Sequence, residues 1–185
     1  MSVGESRRTL SRAAPDALAL ALAGDERALD ALLRPLLQPA YRIAYLMLRD
    51  REAAEDAVQN AALKSWRKLA RLRPDSDPLP WFIAFVANEC RNMRRSRWRS
   101  VIRLGERDDV VAETQEWGSD PDLQRALGRL AERDRLLVVL HFYLDMRLEE
   151  MAIVAGSRTG AVRSRLYRAV KELKRHMTVK DRSGD

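Results

Sequence analysis

This chain of 185 residues contains one cysteine, Cys90, and only two histidines, His141 and His176. A single cysteine cannot form an intrachain disulfide, and so few cysteines and histidines disfavour a structural zinc site. No apolar run approaches the roughly 20 residues that a membrane-spanning helix needs. Residues 17–23 are apolar, but a proline and an acid precede them in place of a basic segment. This disfavours a signal peptide and predicts a cytoplasmic protein.

The apolar residues that are present recur at helical spacing, and no alternating run of period two accompanies them. The sequence therefore predicts an all-α protein. Within residues 25–48, Pro35 and Pro39 are expected to break or kink the helical stretch into two pieces. Asp50 is expected to cap the next helix. The predicted buried side of that helix consists of Val58, Ala62, Trp66 and Leu69.

The 34 basic and 27 acidic side chains give a formal net charge of +7, and this excess is local. Residues 91–103 and residues 158–177 each carry +6, whereas residues 104–122 carry −6. An acidic stretch with few large apolar residues is typical of a flexible linker between domains. The predicted organisation is a tail at 1–24, a helical domain at 25–103, the acidic linker at 104–120, a second helical domain at 121–178 and a tail at 179–185.

The segment 148–177 is typical of a helix-turn-helix, a short helix and a longer one joined by a turn that contains glycine. Ser157 is expected to cap the second helix. The predicted buried side of that helix consists of Val162, Leu166, Val170 and Leu173. Its opposite side presents Arg163, Ser164, Tyr167 and Arg168, which suit base reading in a major groove. The basic residues expected to neutralise phosphates are Arg158, Arg165, Lys171, Lys174 and Arg175. A merely solvated basic side is the competing interpretation, which the preceding helix and turn disfavour.

The first basic block, 91–103, contains six arginines and no acid. Arginine without lysine favours phosphate binding over simple solubility. Residues 73–80 contain three prolines and are predicted to form a loop, with a helix beginning at Trp81. Such a loop followed by the pair Trp81 and Phe82 can hold an unstacked base of single-stranded DNA. For Phe82 a core position is the better interpretation.

Taken together, these segments resemble bacterial sigma factors. Residues 41–59, which include Ala-Glu-Asp-Ala-Val-Gln at 54–59, and residues 80–95 resemble conserved region 2, most closely that of the small extracytoplasmic-function (ECF) group. Residues 136–173 are similar to region 4 of the same family. The resemblance implies a transcription initiation factor, with no catalytic residue and no cofactor of its own. Such a factor binds core RNA polymerase, recognises the minus-ten and minus-thirty-five promoter elements and assists promoter melting.

The resemblance also implies roles for individual positions. The residues implied to dock on core polymerase are Glu55, Asp56, Gln59 and Asn60. Those implied to contact the minus-ten element are Trp81, Asn88, Arg91, Arg94 and Arg95. Those implied to contact the minus-thirty-five element are Arg158, Arg163, Ser164, Tyr167 and Arg168. An anti-sigma factor is the further partner that the resemblance implies.

Three positions depart from the usual family pattern. The family usually has Glu where this chain has Asn60, Thr where it has Ala161, and Ser or Pro where it has Arg158. These departures bear on core affinity and base preference.

Two other functions stay open. A sigma mimic that titrates an anti-sigma factor would not need the arginine blocks, and a conventional helix-turn-helix regulator would leave residues 54–59 unexplained. An enzyme such as a nuclease would need clustered metal-binding carboxylates, and the acids of 104–122 are better explained as linker.

Overall fold

A computed structural model describes residues 17–73, 76–104 and 121–178. Within these ranges all regular structure is helical, which confirms the predicted all-α class. The helices are α1 (17–22), α2 (Glu26–Leu48), α3 (Arg51–Lys68), α4 (Pro78–Leu104), α5 (Pro121–Arg129), α6 (Glu132–Phe142), α7 (Leu148–Ala155) and α8 (Thr159–Thr178). They form two compact units, α1–α4 and α5–α8. Across the described ranges, no helix combines the length and the apolar character needed to cross a membrane.

Parts of the predicted domain organisation fall on residues that the structure does not describe. The linker 104–120, apart from its first residue, and the tail 179–185 lie outside the described residues. Residues 17–22, within the predicted tail 1–24, are helical, and Leu18 is fully buried. The domain boundaries remain predictions.

Helix α2 runs through both of its prolines, so of the predicted break or kink, a break into two helices is wrong. Pro35 is exposed and Pro39 is half-buried, while the opposite side of the helix packs inward. Because each proline lacks an N–H, the carbonyls of Ala31 and Pro35 lose their helical donors. Ala31 and Pro35 are both exposed, so water can satisfy these carbonyls at small cost. The buried apolar residues on both sides of the prolines stabilise one continuous helix.

Helix α3 packs against both α2 and α4 through small side chains. Its first turn is capped as predicted, because the Asp50 carboxylate accepts a hydrogen bond from the backbone N–H of Ala53 at 3.0 Å. The buried side of α3 consists of Ala53, Ala54, Ala57, Val58, Ala61 and Ser65. Small residues let the helices approach closely, and the fully buried Phe82 and Ile83 of α4 help to fill the core of this unit. The remaining sides of α3 face outward.

Helix α4 begins at Pro78, three residues before the predicted start at Trp81. The carboxylate of Asp77 accepts a hydrogen bond from the backbone N–H of Leu79 at 2.9 Å. Pro78 and Pro80 occupy the first turn, where a backbone N–H would have no acceptor within the helix. Two of the three prolines in the predicted loop 73–80 therefore start the helix, and the loop is shorter than predicted.

A charged pair ties α3 to α4. The ammonium nitrogen of Lys64 lies 2.7 Å and 2.8 Å from the two carboxylate oxygens of Glu89. The Glu89 side chain is 8% exposed and that of Lys64 is 47% exposed. The carboxylate therefore depends on this one lysine for much of its stabilisation in a largely desolvated place.

Replacement of Lys64 by methionine should lower the free energy of unfolding by about 1–3 kcal/mol, since a buried carboxylate would lose its cation. Denaturant unfolding measures the effect. Arg34→Met is the matched control, because Asp30, its partner on α2, is exposed, and such surface pairs contribute little. The double variant Lys64→Met/Glu89→Leu should recover most of the loss. Equal stabilities of Lys64→Met and the parent protein would contradict this account.

The single cysteine, Cys90, is fully buried on α4. Burial raises the pKa of its thiol from 9.0 to about 12, because the low-dielectric core disfavours the thiolate; the nearby Arg91 opposes this shift. In the unfolded chain the thiol ionises at its ordinary value. The native state therefore holds its proton over a pH range in which the unfolded state loses it.

This difference predicts a stability loss at alkaline pH. Below the unfolded pKa of 9.0 the contribution of Cys90 is fully present, and it is lost progressively as the pH rises towards about 12. Each pH unit in that window costs up to about 1.4 kcal/mol. Urea unfolding at pH 8–11 should show a steeper decline for the parent protein than for Cys90→Ala, which lacks the thiol. Parallel pH profiles would rule out this contribution.

In the second unit, helix α5 begins at Pro121 as predicted, while the predicted cap Asp120 lies outside the described residues. Arg135 of α6 is buried, with 6% of its surface exposed. Its guanidinium donates hydrogen bonds to the carbonyl oxygens of Gly128 at 3.1 Å and Leu130 at 2.9 Å. Arg135 thereby satisfies carbonyls at the end of α5 and joins α5 to α6.

Candidate DNA-binding and polymerase-binding surfaces

Helices α7 and α8 form the predicted helix-turn-helix. At the start of α7 the Glu150 carboxylate accepts a hydrogen bond from the backbone N–H of Arg147 at 2.7 Å. At its end Gly156 is left-handed, with φ of 61°, and the N–H of Ser157 donates to the carbonyl of Ala152 at 3.0 Å. Helix α8 begins at Thr159, so its capping position is Arg158 and not the predicted Ser157. Ser157 closes the turn instead.

Helix α8 buries one side and exposes the other. Val162, Leu166, Ala169 and Leu173 are buried, and Val170 is half-buried, which largely confirms the predicted inner side. All five residues predicted to contact the minus-thirty-five element are exposed, namely Arg158, Arg163, Ser164, Tyr167 and Arg168. Tyr167 is 72% exposed, which is a high value for so large an aromatic residue. Arg168 is held along the helix, since its Nε donates to the carbonyl of Ser164 at 3.3 Å.

Arg165 behaves differently from the exposed arginines of α8. Its Nε lies 3.0 Å from Oδ1 of Asp134 on α6, and the side chains of Arg165 and Asp134 are 44% and 24% exposed. That Arg165 neutralises DNA phosphates remains a prediction, and the ion pair with Asp134 gives the same side chain a partner within its own unit.

On helix α4 the predicted minus-ten residues follow one outward side. Trp81 is half-buried and packs edge-to-face against Phe85, with ring centroids 5.0 Å apart. Asn88 is exposed two helical turns beyond Trp81. Further along, Arg91 is half-buried, while Arg94 and Arg95 are exposed. The structure thus aligns an aromatic end, an amide and three arginines along α4, and Phe82 is a core residue as expected.

A lysine from α3 extends the aromatic end of this surface. Nζ of Lys68 lies 5.7 Å from the centroid of the Phe85 ring. A cation at this distance from a ring face is favourable and places positive charge beside Phe85, the ring against which Trp81 packs. The sequence pattern of α4 alone did not indicate this lysine, because the contact depends on the packing of α3 against α4.

Helix α3 exposes all four predicted polymerase-docking residues, namely Glu55, Asp56, Gln59 and Asn60. Leu63 and Trp66 continue the same side of the helix at i+4 and i+7 from Gln59, and they are 55% and 51% exposed. The placement of Trp66 on the buried side was wrong, since the small residues of α3 already fill the helix contacts. Two large exposed apolar side chains beside polar ones are typical of a docking surface.

Comparison with known protein families decides between the interpretations. Residues 32–100 match the family model described as sigma-70 region 2, and residues 121–173 match the one described as sigma-70 region 4. The chain belongs to the sigma-70 family. As a sigma factor of the ECF group, it is a transcription initiation factor that binds core RNA polymerase and directs it to promoters. This confirms the family and the function that the sequence implies.

The relatives compared with this sigma factor match between 79% and 89% of its chain. It is 32% identical to the ECF sigma factor SigM of Mycobacterium tuberculosis over 89% of this chain and 84% of that protein. It is 28% identical to the sigma factor SigV of Bacillus subtilis over 79% of this chain and 89% of that protein. Its fold is similar to that of the sigma factor RpoE of Bartonella quintana, solved with the anti-sigma factor NepR, with a TM-score of 0.68 and 25% identity. That similarity covers 80% of this chain and 94% of RpoE.

The histidines of the sigma factor have local partners. Nδ1 of His141 lies 3.5 Å from the carbonyl of Met146, and its ring packs edge-to-face against Phe142. Nε2 of His176 lies 3.4 Å from the Glu172 carboxylate. Within residues 17–73, 76–104 and 121–178, no three His, Cys, Asp or Glu side chains come together as a metal site.

Proposed function

We propose that the sigma factor divides promoter recognition and polymerase docking among three helices. Helix α8 reads the minus-thirty-five element, and the observation that carries this assignment is the exposed set Arg163, Ser164, Tyr167 and Arg168 on the second helix of a helix-turn-helix. Arginine can bind guanine through two hydrogen bonds in the major groove, and serine can bond to a base or a phosphate. Arg158 enters at the start of α8 and contacts the phosphate backbone.

Helix α4 contacts the minus-ten element in the proposed complex. The half-buried Trp81 offers the accessible part of its ring for stacking on an unpaired base, and Asn88 supplies donors and acceptors for a base edge. Arg91, Arg94 and Arg95 neutralise phosphates on the same side of the helix. Stacking on an aromatic residue stabilises an unstacked base, which favours the melted promoter.

Helix α3 docks on core polymerase. Its polar residues Glu55, Asp56, Gln59 and Asn60 give orientation and electrostatic steering. Leu63 and Trp66 add the apolar area that a stable interface requires. A charge that the family usually has is absent at Asn60, and the exposed Glu55 and Asp56 retain negative charge on this surface.

In this proposal the factor contributes binding only, and polymerase carries out phosphoryl transfer. The factor acts in the cytoplasm, where its polymerase and promoters are. An anti-sigma factor is the proposed regulatory partner, supported by the similarity to RpoE, which was solved with NepR. A partner that co-purifies with the factor should inhibit transcription when it is added back to purified holoenzyme; a co-purifying protein without inhibition would argue against this part.

Reconstitution with core polymerase tests the proposed function. The full chain should bind core polymerase, and the resulting holoenzyme should initiate from promoters of the source genome that core alone does not use. Binding to core without initiation would favour a sigma mimic. Binding to DNA without binding to core would favour a conventional regulator.

A further inference from the structure

We propose that the ion pair between Asp134 and Arg165 sets the orientation of helix α8, so that promoter discrimination depends on an acid that lies outside the DNA contacts. This rests on the proposed reading of the minus-thirty-five element by α8. In it, Asp134 is a positioning residue and Arg165 is its anchor on the recognition helix. Their atoms Oδ1 and Nε lie 3.0 Å apart.

The place of Arg165 around α8 suits this role. At about 100° per residue, Arg165 lies roughly 40° from the buried Ala169 and roughly 60° from the exposed Arg168. It therefore stands at the border between the buried side and the exposed side, next to Arg168 and roughly 160° from Arg163 and Tyr167. An ion pair at this border opposes rotation of the helix about its axis, because rotation would separate the two charged groups.

Asp134 is itself held firmly. It lies in the first turn of α6, where the helix dipole favours a negative charge, and its backbone N–H donates to the carbonyl of Ala131 at 2.9 Å. The next residue, Arg135, is buried and bonded to the carbonyls of Gly128 and Leu130. Residues 136–140 are all buried. Asp134 is thus a fixed point against which α8 can be held.

Base reading depends on such positioning. Bidentate hydrogen bonds from Arg163 or Arg168 need their donors within about 0.5 Å and 10–20° of the productive geometry. The buried contacts of α8 are apolar and non-directional, with the small Ala169 among them. The ion pair with Asp134 adds a charged contact between α6 and α8, although the buried Oδ1 of Asp134 is not aligned as a hydrogen-bond acceptor for Arg165.

The competing account is that Arg165 is a phosphate ligand that Asp134 partly neutralises. The two accounts predict different results for Asp134→Asn, an isosteric change that removes one negative charge. As a neutralised phosphate ligand, Arg165 would be released, and binding would strengthen equally on all DNA. If Arg165 is an anchor, Asp134→Asn would release it. Discrimination between the cognate and the altered promoter would then fall, even though overall DNA affinity stays constant or rises.

The experiment measures binding of reconstituted holoenzyme to the cognate promoter and to one with a single changed base pair in the minus-thirty-five element. We expect Asp134→Asn to lower the ratio of the two affinities by about threefold to tenfold, compared with the roughly fivefold to 150-fold loss that one mismatched base pair typically causes. Asp134→Glu, which keeps the charge, should recover part of the ratio. Arg165→Gln should lower the ratio as Asp134→Asn does.

Two further variants separate the possible failures. Asp122→Asn removes the same charge from α5, where Asp122 pairs with Arg125 of its own helix, and should leave the ratio unchanged. Arg163→Ala should lower the ratio if α8 reads bases at all. A reduced ratio for Arg163→Ala with an unchanged ratio for Asp134→Asn would overturn the positioning role alone. Unchanged ratios for both would overturn the proposed reading by α8 as well. Circular dichroism and melting temperature of each variant check that the fold is intact.

Discussion

Replacement of Arg163 or Arg168 by alanine is expected to weaken binding of the holoenzyme to its cognate promoter by roughly 1–3 kcal/mol each, or about fivefold to 150-fold. Both side chains are exposed on α8, on the side opposite its buried residues. Each guanidinium has the planar geometry that binds guanine through two hydrogen bonds. Promoter binding is measured in competition against promoters with changes at each position of the minus-thirty-five element. Selectivity should relax at the position that the lost side chain contacts.

Arg175→Ala provides the matched control for these variants. Arg175 is exposed near the end of α8, three turns beyond Arg163 along the helix. As a phosphate ligand it should weaken binding to all sequences about equally and reduce the salt dependence by about one counterion. If Arg163→Ala and Arg168→Ala keep the parent selectivity, α8 does not read bases through these arginines.

The second large effect is expected on the polymerase-docking side of α3. We expect Asp56→Arg and Trp66→Ala each to weaken binding to core polymerase by more than about tenfold, and the double variant by about 100-fold. Asp56→Arg reverses a charge that steers and orients docking. Trp66→Ala removes a large apolar side chain that is 51% exposed in the free chain and so is available to a partner. Equilibrium titration of labelled factor with core polymerase gives the affinities.

Asp30→Arg is the control for this second prediction. Asp30 is exposed on α2 and pairs with Arg34, so its reversal changes the net charge by the same amount as Asp56→Arg at another place in the unit. It should leave the affinity for core polymerase within about twofold, since surface pairs of this kind contribute little. Parent-like affinity of both α3 variants would mean that polymerase docks elsewhere.

Much of the local structure could be predicted from the sequence. The cap at Asp50 and the start of α5 at Pro121 depend on residues next to each other in the chain, and both were confirmed. The inner side of α8 follows from apolar spacing, because a helix repeats every 3.6 residues. The residues predicted to contact DNA and polymerase lie on exposed or half-exposed sides, and their individual roles remain predictions.

The misplaced features share one cause. Pro35 and Pro39 are helix breakers by local rules, but the apolar side of α2 packs into the core and holds the helix together. Trp66 fits a buried position by spacing, but the small residues of α3 bring the neighbouring helices so close that the indole lies outside. In each case packing against another helix outweighed the local preference.

The sequence by itself determined that this protein is an all-helical sigma factor with two basic blocks and a helix-turn-helix, because periodicity, turn residues and charge are written along the chain. Only the tertiary structure decided which charges remain available to partners. Nothing in the sequence distinguishes Lys64 and Arg165 from the basic residues near them. In the structure, however, Lys64 pairs with Glu89 of α4 and Arg165 pairs with Asp134 of α6. The physical reason is distance, since a salt bridge needs two groups within about 4 Å. Lys64 and Glu89 are 25 positions apart in the chain, and Asp134 and Arg165 are 31 apart. Both pairs come within that distance only because their helices pack together.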